Sequence, residues 1–237
     1  MTSEPASRVA LCIMAKAPEA GQVKTRLWPL LSPEEAAELS HCFIRDKAAQ
    51  VREAARAEPF VAYAPDDAGA AFQAPAPGFT LLPQRGGDLT ARLLSVLAHL
   101  FAGGFDAAIL LDSDTPTLPA GLLERAVTLL ASGEHDLVLG PSEDGGYYLI
   151  GLRPLHPEIF EGMPWSTPTV LEETLRRACA LGLSTLRLPP WYDVDTDADL
   201  ARLAAELSAG ADGGPRHTRR FVLERLAGRT ASAGGRV

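Results

Sequence analysis

The stretch Val9-Ala-Leu-Cys-Ile-Met14 leads directly into Lys16-Ala-Pro-Glu-Ala-Gly-Gln-Val-Lys-Thr-Arg26. A short apolar run closed by a charged glycine loop reads as a buried strand, and the loop then falls at the strand's carboxyl end, where open α/β sheets bind anions. Lys16, Lys24 and Arg26 supply positive charge, Gly21 relieves the turn and Pro18 stiffens it. A second strand end answers the first. Leu110-Leu-Asp-Ser-Asp-Thr-Pro116 closes another apolar run with Asp112 and Asp114 two residues apart. Hard carboxylate oxygens at such a corner suit Mg2+ or Mn2+, which binds through one or two carboxylates and the oxygens of a bound phosphate. Capping or turn chemistry is the other use of an Asp before Thr-Pro. Together the two segments predict a metal-bridged nucleotide site.

Working outward, the apolar runs Val9–Met14, Phe60–Ala64, Thr80–Leu82, Ala107–Leu111, Leu137–Leu139, Tyr147–Leu152 and Leu183–Leu188 are bounded by Gly, Pro or Asp, as buried strands are. Amphipathic helices are predicted between them. The first covers about Pro33–Ala57 and opens on Ser32-Pro-Glu-Glu35, a capping box with proline at the first helical position. Others cover about Leu89–Ala102, Pro119–Gly133 and Pro168–Leu181, the last with Ser166 or Thr167 as cap and Gly182 as stop. Strands alternating with helices imply a mainly parallel, doubly wound α/β sheet with helices on both faces. A Gly/Ala-rich break at Ala209–Pro215 precedes a short basic helix expected to pack Phe221, Val222 and Leu226 on the body, with Thr230–Val237 frayed.

Bulk composition narrows the class. The 237 residues are 46% apolar and 22% charged, ordinary globular usage, and no run approaches the length of a membrane span. A net charge of -8 argues against a general nucleic-acid binder, while a basic pocket within an acidic surface can still hold substrate phosphates. Cys12, Cys42 and Cys179 are odd in number and widely spaced, so buried free thiols are expected rather than disulfides or zinc ligands. The apolar run after Arg8 is too short for a signal-peptide core, which makes the cytoplasm the expected location.

Three further segments carry polar groups suited to a ligand. Ser142-Glu-Asp-Gly-Gly-Tyr-Tyr148 joins two apolar runs and reads either as a tight hairpin turn or as an acceptor or sugar pocket. In the second reading Glu143 or Asp144 orients or deprotonates the acceptor, and Gly145, Gly146 and Tyr147 line its site. Gln84-Arg-Gly-Gly-Asp88 precedes a helix, so Gln84, Gly87 and Asp88 are placed to contact base or ribose, with Asp88 equally suited to a plain N-cap. Trp191-Tyr-Asp-Val-Asp-Thr-Asp-Ala-Asp199 offers Asp193 or Asp195 to complete a metal shell, or Asp195 or Asp197 to cap a helix. G-x-G-x-x-G, Walker, G-x-S-x-G, H-E-x-x-H and paired C-x-x-C patterns are absent, which removes support from dinucleotide oxidoreductases, P-loop NTPases, serine hydrolases and zinc enzymes.

The ordered landmarks Ala15-Lys-Ala-Pro18 with Gly21-Gln-Val-Lys-Thr-Arg-Leu27, Gln84 with Gly87-Asp-Leu89, Ser113-Asp-Thr-Pro116, Glu143-Asp-Gly-Gly-Tyr-Tyr-Leu-Ile-Gly151 and Asp193-Val-Asp-Thr196 resemble those of the bacterial radical-SAM/selenodomain-associated transferases. That group is glycosyltransferase-like, with the nucleotide-diphospho-sugar transferase (GT-A) fold. A more distant likeness is to the guanylyltransferases of deazaflavin-cofactor and molybdopterin biosynthesis. This chain departs from the common pattern at Asp112, Thr115 and Thr90-Ala91. One catalytic domain over residues 1–208 and a tail over 209–237 are expected, and the resemblance covers most of residues 8–205. It implies a nucleotide at the carboxyl edge of the sheet and a divalent cation at Asp114; Asp112, which completes an Asp-x-Asp pair, and Asp195, from across the cleft, are candidate further ligands. The expected activity is glycosyl transfer from a nucleotide-diphospho-sugar to a small-molecule acceptor. Nucleotidyl transfer with loss of pyrophosphate and non-catalytic nucleotide-sugar binding are the alternatives.

Overall fold

Side chains of β1 (Val9–Lys16) alternate between two apolar environments, which is what a strand covered on both faces requires. The computed structural model describes residues 7–54, 56–210 and 214–233, the last eight without their side chains. With β1, strands β2 (Ala57–Ala64), β3 (Thr80–Pro83), β4 (Ala107–Leu111), β5 (Leu137–Pro141), β6 (Tyr147–Leu152) and β7 (Thr185–Arg187) form one sheet in the order β3-β2-β1-β4-β6-β5-β7. Every neighbouring pair is parallel except those made by β6, which runs antiparallel to both β4 and β5. The expected α/β class and mainly parallel sheet are those observed.

Helices α1 (Pro33–Glu53) and α4 (Ala120–Ser132) cover one face, where Ile44, Ala48, Leu123 and Val127 pack on Val9, Leu11 and Ile13. Helices α3 (Leu89–Ala102) and α5 (Val170–Ala180) cover the other, meeting Ala10 and Cys12. A short α2 (Ala70–Gln73) buries Phe72. Outside α1, helices α6 (Asp197–Ser208) and α7 (Arg216–Ala233) enclose a third apolar cluster that includes Phe43, Leu203, Phe221 and Val222. Leu226 lies among the side chains outside the described residues, as do residues 211–213 of the break and 234–237 of the tail. The helix reaches Ala233, beyond Thr230 where fraying was expected.

Several boundaries differ from expectation for physical reasons. Helix α1 ends at Glu53, and Ala57 instead pairs with Val9 in the sheet. Helix α5 starts at Val170 after Thr169, so neither Ser166 nor Thr167 caps it: Ser166 has φ 62° and the Thr167 hydroxyl donates to the Pro164 carbonyl. Helix α6 is capped by Thr196 in a box with Asp199, rather than by Asp195 or Asp197. All three thiols are free, with Cys12 buried and Cys42 partly so, but Cys179 near the end of α5 is exposed. Among the described residues no helix is long and apolar enough to cross a membrane.

Candidate functional site

Because β1 and β4 are parallel neighbours, their carboxyl ends lie side by side. The antiparallel β6 brings the β5–β6 turn to that same edge, so three sequence-distant loops converge there. The first is shaped by Gly21 at φ 81° and by Lys24 itself in the left-handed region at φ 50°. Leu27, fully buried, anchors its far end. Lys16 donates to the Gln22 carbonyl at 2.9 Å and so ties the loop across its base.

Lys24 is the centre of the site. Its Nζ lies 3.0 Å from Asp114 Oδ1 and 2.9 Å from Asp195 Oδ1, and donates to the Val194 carbonyl at 2.7 Å. The side chain is only 4% exposed, so the ammonium is largely out of water. Burial works against its charge, but Asp114 and Asp195 outweigh it and raise the lysine above its ordinary pKa. Asp195, also opposed by burial, is held below the usual carboxylate range by Lys24 and, less strongly, by Arg26. The Val194 N–H donates to the Asp114 carbonyl at 2.9 Å, locking the Trp191–Thr196 segment to the β4 loop.

Two carboxylates therefore converge on a position that already holds a cation. Among the described residues no group of three or more His, Cys, Asp or Glu is arranged to hold a metal ion. Two hard oxygen donors, with phosphate and water completing the shell, do fit Mg2+ or Mn2+. Asp112, also expected as a ligand, makes no ion pair with Lys24. Its Oδ1 accepts from Thr115 Oγ1 at 2.8 Å and from the Asp114 N–H at 3.2 Å, the turn chemistry that an Asp before Thr-Pro allows. Beneath this loop lies Lys47 of α1, fully buried, whose Nζ donates to both the Thr115 carbonyl and hydroxyl at 2.7 Å. Burial raises Asp112 and lowers Lys47, each resisted by the opposite charge. Sequence reading passed over Lys47, although its place among Phe43, Ile44, Ala48 and Val51 on the apolar stripe of α1 was a signal.

Two adjoining cavities open along this edge and share Met14, Ser113 and Asp114. One, of about 320 Å³, is lined by Lys16, Lys24, Arg26 and Asp195, with Gln22, Thr25 and Ser40 among its polar groups. The other, of about 270 Å³, is lined by Asp112, Asp144, Asp193, Gly146 and Tyr147, with Trp165 and Leu89 on its apolar side. The Ser142–Gly146 segment is a hairpin turn as well as a cavity wall: Ser142 N–H donates to the Gly146 carbonyl, and Asp144 Oδ1 accepts from the Gly146 N–H at 2.8 Å. Asp193 Oδ1 accepts from the Ser142 hydroxyl at 2.8 Å, and burial, reinforced by Asp144 and Asp195, raises its pKa.

Other expected site residues lie apart from these cavities. Glu143 points to Arg202 of α6 in an exposed ion pair at 2.7 Å. Gln84 Nε2 donates to the Ala15 and Ala62 carbonyls, pinning the ends of β1 and β2 together. Asp88 caps α3 by accepting from the Ala91 N–H at 2.8 Å, and Gly87 is exposed beside it. Gly145, at φ 91°, faces the Pro168 backbone so closely that a Cβ would collide with it, so the fold itself requires glycine here.

Residues 47–167 match the family model described as "Uncharacterized protein conserved in bacteria (DUF2064)". The chain belongs to the DUF2064 family. The DUF2064 chain is also similar to the crystal structure of a provisionally named nucleotide-diphospho-sugar transferase from Desulfovibrio desulfuricans, with 31% identity and a TM-score of 0.83 over 93% of this chain and 96% of that one. CMP:2-keto-3-deoxy-manno-octonic acid synthetase, solved with CTP, shares the fold at 17% identity and a TM-score of 0.56, covering 86% of this chain and 99% of that one. Glucosyl-3-phosphoglycerate synthase from Mycobacterium tuberculosis, solved with Mn2+ and UDP, does so at 14% identity and 0.51, covering 92% and 80%. A search of curated proteins finds no match to the DUF2064 chain.

Proposed function

We propose that this protein transfers a glycosyl group from a nucleotide-diphospho-sugar to the hydroxyl of a small acceptor. The observation that carries the reading is the pair of joined cavities, one cationic and one acidic, meeting at Asp114. The 31% identity to a chain named as a nucleotide-diphospho-sugar transferase supports it. The sequence landmarks shared with radical-SAM/selenodomain-associated transferases favour the same reading, and the more distant likeness to guanylyltransferases favours the nucleotidyl-transfer alternative.

In this reading Lys16, Lys24 and Arg26 bind the donor diphosphate, and Asp114 with Asp195 hold Mg2+ or Mn2+. The metal would supply charge neutralisation of the departing diphosphate. The acceptor oxygen forms a bond to the anomeric carbon while the bond from that carbon to the diphosphate oxygen breaks. The nucleoside diphosphate leaves with the electron pair, and the acceptor proton passes to a carboxylate. Asp193 and Asp144 stand in the acceptor cavity, and the raised pKa of Asp193 suits a proton acceptor better than an ordinary aspartate. Lys24 and Arg26 are placed to stabilise the charge that develops on the leaving group. Gln84, Gly87, Asp88 and Glu143 would support the site from outside it, and residues 1–208 would carry catalysis with 209–237 as a packed tail.

The test is a thermal-shift and calorimetric screen of nucleoside di- and triphosphates and nucleotide sugars, with and without Mn2+, followed by product analysis. Binding of a nucleotide sugar and release of nucleoside diphosphate is expected. Triphosphate consumption with pyrophosphate release would replace this reading by nucleotidyl transfer. Tight binding without turnover across a broad acceptor set would leave a binding module.

A further inference from the structure

The acidic cavity carries more information about its ligand than its position does. Asp112, Asp114, Asp144 and Asp193 all line it, and no Lys, Arg or His does. Two of these carboxylates have cationic neighbours: Asp114 pairs with Lys24, and Asp112 feels Lys47. Asp144 and Asp193 are different. Asp144 accepts from the Gly146 N–H and Asp193 from the Ser142 hydroxyl, with Asp195 as a further neighbour of Asp193, and among the described residues neither aspartate makes an ion pair. Two carboxyl groups without a cationic partner thus face the cavity beside a cavity rich in cations.

Apolar side chains also line the acidic cavity. Met14, Leu89, Leu93, Tyr147, Trp165 and Val170 are among them, and Leu89 is 42% exposed at the start of α3. Trp165 is fixed in place: its indole N–H donates to Thr90 Oγ1 at 2.8 Å, and its ring meets Tyr147 edge-on at 6.4 Å. With its N–H already bonded, the Trp165 ring offers hydrocarbon surface to a ligand.

We propose that the acceptor is a hydroxyl compound that carries an apolar or aromatic portion and no negative charge. The proposal rests on the glycosyl-transfer reading above and narrows it. The cation proposed at Asp114 is taken up by the donor diphosphate, so a phosphate or carboxylate on the acceptor would meet Asp144 and Asp193 with no Lys, Arg or His in the cavity lining to offset them, and anionic acceptors are selected against. The division of labour follows from charge: phosphates go to Lys16, Lys24 and Arg26, and the uncharged partner goes to the acidic and aromatic cavity.

The test uses four probes of one shape family: phenyl β-D-glucoside, phenyl β-D-glucuronide, phenyl β-D-glucoside 6-phosphate and methyl β-D-glucoside. Each is titrated by ligand-observed NMR at low ionic strength into the free protein and into protein saturated with whichever nucleoside diphosphate the screen selects. Phenyl glucoside is expected to bind at least roughly tenfold more tightly than the glucuronide, the phosphate and the methyl glucoside. The double variant Asp144→Asn, Asp193→Asn should narrow the gap to the anions, and Trp165→Ala should erase the preference for phenyl. Anions binding as well as the neutral probe overturn the proposal. So do indifference to the phenyl group, discrimination that survives in both variants, and no binding of any probe at millimolar concentration. Failure here with nucleotide binding intact removes only the acceptor class, whereas selective phenyl glucoside binding without any nucleotide binding removes the glycosyl-transfer reading and leaves only a cavity selective for neutral aromatic glycosides.

Discussion

Lys24 shows how one residue can carry two roles in a site. Its ammonium neutralises Asp114 and Asp195 where a divalent cation would sit, and it also lines the cavity assigned to phosphate. Replacing it by methionine keeps the stem and removes the charge. Lys24→Met should therefore bind Mn2+ more tightly in the absence of nucleotide, because two carboxylates are left without a counter-ion. The same variant should lose roughly 1.5–3 kcal/mol of nucleoside diphosphate affinity, the range for a hydrogen bond to a charged group. Calorimetry reads both, and Mn2+ affinity equal to or below that of the parent protein would show that the ammonium does not occupy the cation position. Asp112 and Asp114 separate at this scale too. Asp114→Ala should abolish metal-dependent nucleotide binding, whereas Asp112→Ala should leave it nearly unchanged in the same titration, since Asp112 is engaged with Thr115.

At the scale of elements, the β5–β6 turn and α5 form one unit. The Leu171 N–H donates to the Gly145 carbonyl at 2.9 Å, and Gly145 abuts the Pro168 backbone at a positive φ. Gly145→Ala should cost about 1–3 kcal/mol in urea unfolding, the scale of local backbone strain, and should lower turnover more than nucleotide affinity because Asp144 moves with the turn. Parent-like turnover in a destabilised variant would detach the turn from the chemistry. Helix α5 is also tied to the segment that carries Trp165: Arg177 bonds Glu173 and donates to the Ile159 and Glu161 carbonyls. Arg176 and Arg177 hold the Glu173 carboxyl down at about 2 from an ordinary 4.5. A depressed carboxylate contributes stability that is present in full above its unfolded pKa and is lost as pH falls through the folded one. The stability advantage of the parent over Glu173→Gln should thus be constant above pH 4.5 and vanish as pH falls to about 2. An advantage that instead grew on acidification would contradict the pairing.

Over the whole molecule, the C-terminal helix belongs to the folded body. Asp46 of α1, buried, accepts from the His217 and Thr218 N–H groups at 3.0 and 2.7 Å and so caps α7 from a distant element. Asp46→Ala should lower stability by about 2 kcal/mol in urea unfolding, the upper range for loss of an N-cap, with nucleotide binding retained. Unchanged stability would mean that α7 docks through Phe221 and Val222 alone. The existence of the strands, the α/β class and the loops that meet at the site could be read from the chain alone, because each is encoded locally. Apolar runs of strand length, glycine stops and a Ser32–Glu35 capping box can be read from adjacent residues. The chain alone also placed Asp114, Lys24 and Asp195 among the residues of interest, since charge at a strand's carboxyl end has little use in a core. How those residues pair emerged only from the folded arrangement. The Lys24 contacts span 170 and 171 residues of chain, Asp46 reaches across a similar distance, and Gln84 turns from a candidate ligand contact into a clasp between β1 and β2. Side-chain partners separated so far in sequence are chosen by packing and by the need to neutralise buried charge, and neither is written in any local pattern.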